Sequence, residues 1–370
     1  MTDQDQYFMQ VALDEAQKGV GRTSPNPCVG AVVVNNGCIV GRGYHKKAGT
    51  PHAEIHALAD AGTAAKGATM YVTLEPCNHT GRTPPCSHAV YEAGISRVVI
   101  GCKDPNPLAQ GGAEYLAAQG LVVESGVCEQ KCRALNYPFF KHVRTGLPWV
   151  VMKAGLSLDG RITYQQGQGG AITGKESREF VHGLRNRLDA ILIGANTAVI
   201  DNPSLTTRLQ NQETRDPLRV IVDSELRTDP GARLFRQQSN AETWIFCASS
   251  SKKTALREKR EQALIGAGAK IFPVSTTENG KVELKKVLQV LGANNILSVL
   301  VEGGAAILGS FVRNNLIDEV YLLLAPFFIG DQGQPLLTGY SVGSREQVKR
   351  LQDITVTRVG EDTLIHGLWP

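Results

Sequence analysis

His52, Cys77 and Cys86 are an imidazole and two thiols, and each directly follows a proline, in Pro51-His52, Pro76-Cys77 and Pro85-Cys86. These side chains are good zinc ligands, and a catalytic zinc takes three protein ligands and keeps a fourth position for water. Proline favours the first turn of a helix. Each ligand is therefore expected at or near a helix N-terminus, where the positive end of the helix favours thiolate over thiol. Activated water needs a proton acceptor, and Glu54 stands two residues after His52. Two residues turn about 200° around a regular helix, so metal and carboxylate can meet only off its end, in the first turn. A structural zinc would close with a fourth ligand, for which His56, His79 and Cys102 are available, but it gives Glu54 no task. A metalloprotease helix places Glu immediately after its first His, where this chain has Ala53.

A second set of signals lies in the other half. The apolar run 296–301 leads into Glu302-Gly303-Gly304 and then a helical stretch from Ala305. Strand, glycine pair and helix start offer unpaired backbone N–H groups to a phosphate or pyrophosphate. No G-x-G-x-x-G follows a first strand, so the Rossmann fingerprint is absent. Lys153 stands at the mouth of the strand that opens this half, with Asp159 a few residues on. The two are either a solvated ion pair or candidates for proton transfer.

The elements that must position these groups alternate. A helix is expected over 5–19, and a hairpin over 29–34 and 38–44 around Asn36-Gly37, which supplies the positive φ of a tight turn. Helices are expected at 53–61, 85–93 and 113–119, and strands at 69–74, 97–101 and 121–124. After a linker near 144–148, strands follow at 148–153, 190–194, 219–223, 243–247, 269–274 and 296–301. A helix falls at 175–187, and a C-terminal group of strands at 319–324, 354–359 and 363–368. Alternating strands and helices imply open, largely parallel α/β sheets with helices on both faces.

Composition sets outer bounds. The 370 residues are 42% hydrophobic and 20% charged, ordinary material for two globular domains. A net charge of +4 over this length does not argue for nucleic-acid or membrane-surface binding. The longest apolar stretch, 320–329, contains Pro326 and is far short of the roughly 20 residues needed to span a bilayer. No secretory signal is visible, and eight cysteines in such a chain do not read as a disulfide scaffold. A cytoplasmic protein is expected. Cys28, Cys38, Cys102, Cys128, Cys132 and Cys247 are expected in core or surface positions rather than as ligands.

Zinc nucleobase deaminases use H-x-E and P-C-x-x-C. This chain keeps His52-Ala53-Glu54 and Pro76-Cys77, but its second cysteine comes nine positions later. With Thr23-Ser24-Pro25-Asn26-Pro27-Cys28, Gly41-Arg42-Gly43-Tyr44-His45, Glu75-Pro76-Cys77 and Gly81-Arg82-Thr83-Pro84-Pro85-Cys86, the first half resembles the deaminase half of the bifunctional pyrimidine deaminase/reductase family of riboflavin biosynthesis. The nine-residue spacing is a mark of that family and separates it from tRNA adenosine deaminases. The runs from Lys153 to Arg161, Ile193 to Thr197, Asp201 to Arg208 and Val301 to Gly304 are similar to its reductase half.

The resemblance implies an α/β chain with a cytidine-deaminase-like three-layer domain (1–146) and a dihydrofolate-reductase-like domain (147–370). One Zn²⁺ per chain would be bound by His52, Cys77 and Cys86, with Glu54 as proton shuttle. Asn26 would position the pyrimidine, or else form an Asx turn between its two prolines. NADPH would contact Gly155, Ala171, Thr197, Asp201, Ser224 and the run Gly304, Ala305, Ala306, Ile307, Leu308, Gly309 and Ser310. Substrate would contact Ser157, Gly169, Thr173, Arg185, Leu205, Arg208 and Glu302. Arg185 and Arg208 suit phosphate by their forked guanidinium, or are surface arginines. The implied partner is a small phosphorylated pyrimidine handled by a homo-oligomer, without nucleic acid or membrane. The implied reactions are deamination of a diaminopyrimidinone ribosyl phosphate and reduction of its ribosyl group. A nucleic-acid base deaminase fused to a reductase-like domain is the alternative; it calls for a basic groove and a C-x-x-C spacing.

Overall fold

In the computed structural model, which describes residues 2–79, 84–210, 213–249 and 254–370, the chain divides into two compact units, Met1–Gly146 and Leu147–Pro370.

The first unit runs α1 (Asp3–Gln17), β1 (Gly30–Asn35), β2 (Cys38–Tyr44), α2 (Ala53–Ala61), β3 (Thr69–Leu74), α3 (Cys86–Glu92), β4 (Arg97–Cys102), α4 (Gly112–Ala118), β5 (Val122–Ser125), α5 (Glu129–Leu135) and α6 (Tyr137–Thr145). Thr2 caps α1 reciprocally with Asp5, satisfying N–H groups the helix leaves open. Asn36 and Gly37 both take positive φ, as a two-residue hairpin turn requires. The sheet order is β2-β1-β3-β4-β5. β1 is antiparallel to both neighbours and β3, β4 and β5 are parallel, so this sheet is less parallel than expected. Ala53, Ala57 and Ala61 of α2, Val90 of α3 and Leu116 of α4 close one face over Val33, Met70, Val72, Val98 and Ile100. Helix α1 packs on the other side of β1 and β3, making three layers.

Two helices, α5 and α6, lie where none was expected. Pro138 signals a break, but it sits in the first turn of α6, where its missing N–H costs nothing. Helix α6 also takes up part of the expected linker, ending where Gly146 adopts φ 69°.

The second unit runs β6 (Trp149–Ser157), α7 (Lys175–Arg187), β7 (Ala190–Gly194), α8 (Ala195–Asp201), β8 (Leu218–Val222), β9 (Thr243–Ala248), α9 (Ala255–Gly266), β10 (Ala269–Val274), α10 (Leu284–Ala293), β11 (Ser298–Gly303), α11 (Ala305–Arg313), β12 (Glu319–Ala325), β13 (Gln352–Val359) and β14 (Asp362–Leu368). Nine strands lie in the order β10-β9-β8-β7-β11-β6-β12-β14-β13, all parallel except for the antiparallel β14 contacts. Helices α10 and α11 cover one face through Val287, Leu291, Leu308 and Phe311, and Val181 and Leu184 of α7 pack on the other. Parallel order brings the C-terminal ends of β6, β7, β8 and β11 to one rim, where α/β sheets bind ligands. Among the described residues no helix is long and apolar enough to cross a membrane.

Helix α2, which carries Glu54, lies against β2 with no room between them. A Cβ built on Gly43 would run into the Ala53 carbonyl and the Ala57 nitrogen and come 2.7 Å from the His56 Cβ. Overpacking of this kind costs about 1–3 kcal/mol. Gly43→Ala is therefore expected to lower the thermal midpoint of the first unit and reduce the deamination that the resemblance implies. Wild-type values of both would show that α2 is not seated this closely.

Candidate active sites

His52 is the N-cap of α2, with the extended backbone such a residue adopts, and Cys86 is the first residue of α3. Both stand at helix starts as their prolines imply. Cys77 does not: it lies in the connection after β3, held by that strand rather than by a helix. The His52 Nδ1 is 3.6 Å from the Cys77 Sγ and 3.2 Å from the Cys86 Sγ, and one donor atom from each of the three residues falls within 4.8 Å of the other two. Among the described residues no fourth His, Cys, Asp or Glu joins this group. Cys102 instead donates to the Thr73 carbonyl, and His79 is exposed.

The donor set fits zinc. The Cys86 thiol hydrogen-bonds the Cys77 sulfur and lowers its pKa, while that same neighbour, with burial, pushes the Cys86 thiol up. Two thiolates at this spacing need a cation between them. Glu54, 3% exposed in the first turn of α2, stands beside the group, and burial pushes its carboxyl up to about 7. Part of the 78–85 insertion, residues 80–83 with Gly81, Arg82 and Thr83, lies outside the described residues.

His45 directly follows β2, and a lone histidine there carries no local signal of a role. Its Nδ1 lies 3.2 Å from the Pro51 carbonyl and its Nε2 lies 3.1 Å from the Asn26 Nδ2. A carbonyl only accepts, so Nδ1 carries the proton and Nε2 accepts from the Asn26 amide. Burial lowers the His45 pKa, in keeping with a neutral ring. The N–H that an Asx turn at Asn26 would use, that of Cys28, donates instead to the Asn136 Oδ1 at 2.7 Å, and the Asn26 backbone N–H donates to the Thr23 carbonyl. The Asn26 Oδ1 is turned away from the His45 contact.

At the rim of the second sheet a cleft of ≈ 880 Å³ opens within the second unit. Gly155, Ala171, Thr197, Asp201, Ser224, the run Gly304 to Leu308, and Ser310 all line it. Gly304 donates its backbone N–H to the Thr197 hydroxyl at 3.0 Å, and a Cβ on Gly304 would come 2.9 Å from that oxygen. Helix α11 starts at this point, so its first N–H groups can receive a pyrophosphate. Gly309 is different: a Cβ there would overlap the Thr338 carbonyl, so this glycine serves packing and does not line the cleft.

Among the expected substrate contacts, Thr173, Arg185, Leu205 and Glu302 line the cleft. Gly169 approaches Asp201 so closely that a Cβ would strike its carboxylate. Ser157 is fully buried; it donates to Asp159 at 2.6 Å and accepts from the Arg161 N–H at 3.0 Å. Asp159 also accepts the backbone N–H groups of Ile329 and Gly330, which with Ser157 hold its carboxyl far below the usual range. Both are absorbed in local structure, a chain reversal that a linear reading does not reveal. Arg208 is exposed outside the cleft lining; its backbone N–H donates to His182 and its side chain to Thr206.

Arg185 is neither a surface arginine nor an open fork. Its Nε and Nη2 donate to the two Glu302 oxygens at 2.7 and 2.8 Å, and Nη1 donates to the Thr206 carbonyl. Lys153 Nζ lies 3.6 Å from the same Glu302 carboxylate. Burial opposes charge on Glu302, but Arg185 and Lys153 override it and hold the carboxyl at about 2. Strand β6 supplies Lys153, β11 supplies Glu302 and α7 supplies Arg185, a buried cluster with two cations to one anion.

Residues 2–102 match the family model described as the cytidine and deoxycytidylate deaminase zinc-binding region, and residues 148–365 match the RibD C-terminal domain. The riboflavin biosynthesis protein RibD of Bacillus amyloliquefaciens is 41% identical over 97% of this chain and 94% of its own length. That of Escherichia coli K12 is 37% identical over 98% and 99%. The structure of Acinetobacter baumannii RibD superposes with a TM-score of 0.87 at 34% identity, covering 99% of both chains. A Thermotoga maritima structure, titled a diaminohydroxyphosphoribosylaminopyrimidine deaminase/5-amino-6-(5-phosphoribosylamino)uracil reductase, gives 0.85 at 33% identity over 99% of both. The fold is the one the sequence implies, a deaminase-like α/β domain followed by a reductase domain that takes a nucleotide cofactor. With a zinc-binding region and a RibD reductase domain along nearly its whole length, the chain belongs to the RibD family of bifunctional deaminase/reductase proteins of riboflavin biosynthesis.

Proposed function

We propose that the chain carries out two consecutive steps on one phosphorylated pyrimidine. The first is hydrolytic deamination of 2,5-diamino-6-(5-phosphoribosylamino)pyrimidin-4-one, by residues 1–146. The second is NADPH-dependent reduction of the ribosyl group of 5-amino-6-(5-phosphoribosylamino)uracil to ribityl, by residues 147–370. The observation that carries this reading is the convergence of His52, Cys77 and Cys86 with Glu54 beside them. The Thermotoga maritima title supports the choice of substrates.

In the first unit His52, Cys77 and Cys86 would hold a zinc ion, which would supply water activated for attack near neutral pH. Water adds to the carbon bearing the 2-amino group, a C–O bond forms and the C–N bond to that group breaks. Glu54 takes the proton from the attacking water and returns it to the departing nitrogen, which leaves as ammonia, so one carboxylate acts as base and then acid. Asn26 presents its Oδ1 to an N–H of the pyrimidine, because His45 holds the other end of its amide.

In the second unit the start of α11 and Thr197 would hold NADPH, which would supply the hydride that C1′ of the ribosyl group takes up. Opening of the sugar breaks the C1′–O4′ bond and leaves an alkoxide that needs a proton. Lys153, which lines the cleft with its Nζ 3.6 Å from Glu302, is the donor; Asp159 is held to Ser157 and the 329–330 backbone. The start of α11 and Thr197 receive the cofactor pyrophosphate, and Arg185 keeps Glu302 in place with most of its fork. The reading also includes one zinc per chain and a homo-oligomer in the cytoplasm, whose reducing conditions suit a chain with eight cysteine residues.

Glu54→Gln is expected to retain one zinc per chain while ammonia release falls by about 10²–10⁴; NADPH consumption on the deaminated intermediate should stay at the wild-type rate. Ammonia release at the wild-type rate would contradict the role given to Glu54. Glu302→Gln leaves Arg185 and Lys153 without their anion, a loss of about 3–5 kcal/mol for a broken buried pair. The folded carboxyl titrates at about 2, below its ordinary 4.5, so it stabilises fully above pH 4.5 and progressively less as pH falls toward 2. Denaturant unfolding between these pH values should therefore fall more steeply in wild type than in Glu302→Gln. Parallel curves would show that the pair is not formed.

A further inference from the structure

One buried carboxylate close to the three ligands has no part in the chemistry above. Glu75 ends the turn out of β3 and is 5% exposed. Among the described residues no ion pair to it occurs, and its oxygens meet backbone N–H groups. Oε1 accepts the N–H groups of Gly111 and Ala113, both at 3.1 Å, and Oε2 accepts that of Asp104 at 3.3 Å. Hydrogen bonds from N–H to an ionised carboxylate are among the stronger ones a protein makes. All three donors belong to the segment 104–113, which supplies none of the three metal-binding residues.

The residues around Cys77 lean on that same segment. Gly112 packs against Pro76 so tightly that a Cβ would overlap the Pro76 carbonyl oxygen. Asn78 donates its backbone N–H to the Ala109 carbonyl at 3.0 Å. The Asn78 Oδ1 accepts the Ser87 hydroxyl at 2.7 Å, and the Ser87 N–H donates to the Cys77 carbonyl at 3.2 Å, which ties this loop to the helix of Cys86. Residues 75, 76 and 78 are thus fastened to 104–113, while the sulfur of residue 77 is left to face His52.

On the reading of His52, Cys77 and Cys86 as a zinc site, we propose that Glu75 is a positioning residue for that metal: by gathering three N–H groups of the 104–113 segment it fixes the loop that aims Cys77. Because Cys77 follows a strand and lacks the helix start that fixes the other two ligands, it depends on such a clamp most. A glutamine at 75 keeps one carbonyl oxygen, enough for Gly111 and Ala113, but turns an amide N–H₂ toward the Asp104 N–H. An alanine loses all three bonds.

The test measures zinc transfer from the loaded full-length protein to a chromophoric chelator, together with the visible spectrum of the cobalt-substituted protein. Groups that orient ligands change metal affinity by about 10–100-fold. Zinc loss is therefore expected to quicken about tenfold in Glu75→Gln and more in Glu75→Ala, with altered cobalt bands in both. Gly112→Ala, which presses on Pro76 with Glu75 intact, should also release zinc faster and carries the test if Glu75→Ala does not fold. Asp5→Asn is the control, a buried carboxylate of the same unit bound to Arg97 and Tyr71 at the far end of β4. Wild-type zinc loss and cobalt bands in Glu75→Gln, or loss no faster than in Asp5→Asn at equal melting temperature, would overturn the proposal. Wild-type protein binding much less than one zinc per chain would instead overturn the zinc reading beneath it.

Discussion

Two sulfurs and an imidazole nitrogen, drawn from three separate stretches of chain, have to meet within 4.8 Å with a carboxylate alongside. Much of the first unit answers to that requirement. A zinc ligand can be aimed by a helix start, which fixes the backbone of one residue and lends it a positive field, or by a loop pinned from outside. His52 and Cys86 use the first device and Cys77 the second. The close approach of α2 to β2 at Gly43 puts the Glu54 turn next to the ligands, with no slack in the helix position.

The second unit solves a different problem with a different edge. Its parallel order collects the ends of β6, β7, β8 and β11 on one rim, so residues far apart in sequence become neighbours without long loops. On the proposed function, a cofactor pyrophosphate and a substrate phosphate would bring negative charge there. The Lys153–Glu302–Arg185 cluster carries one more cation than anion, and the unsatisfied N–H groups of α11 add to the positive field. Glu302 keeps two buried cations in one place, and its acidity follows from them.

What the sequence made legible was chemistry written over short spans. His52 and Glu54, each Pro-Cys pair and the strand-Gly-Gly-helix passage all depend on neighbours within a turn or two. The resemblance to the deaminase/reductase family was carried by such runs. Partnerships across long separations were not legible. Glu302 meets Arg185 across 117 positions, and Glu75 finds its donors about 30–40 residues away. Ser157 and Asp159 show the opposite case: a local reversal of the chain gives both their hydrogen-bond partners, and nothing in residue type announces it. Helices α5, α8 and α9 escaped because each is short or buries few apolar side chains, and α6 because a proline stands in its first turn, whereas α10, with Leu284, Val287, Leu288 and Leu291 buried at helical spacing, carries a pattern that the residues do show.

Deamination by the first unit requires a metal corner with three protein donors and room for a fourth, non-protein one. X-ray absorption at the zinc edge of the loaded full-length protein reads that corner directly. Two sulfurs at about 2.3 Å and two nitrogen or oxygen scatterers at about 2.0 Å are predicted, only one of them showing imidazole scattering. A third sulfur, or a second imidazole, would mean a closed structural site and would contradict the central claim.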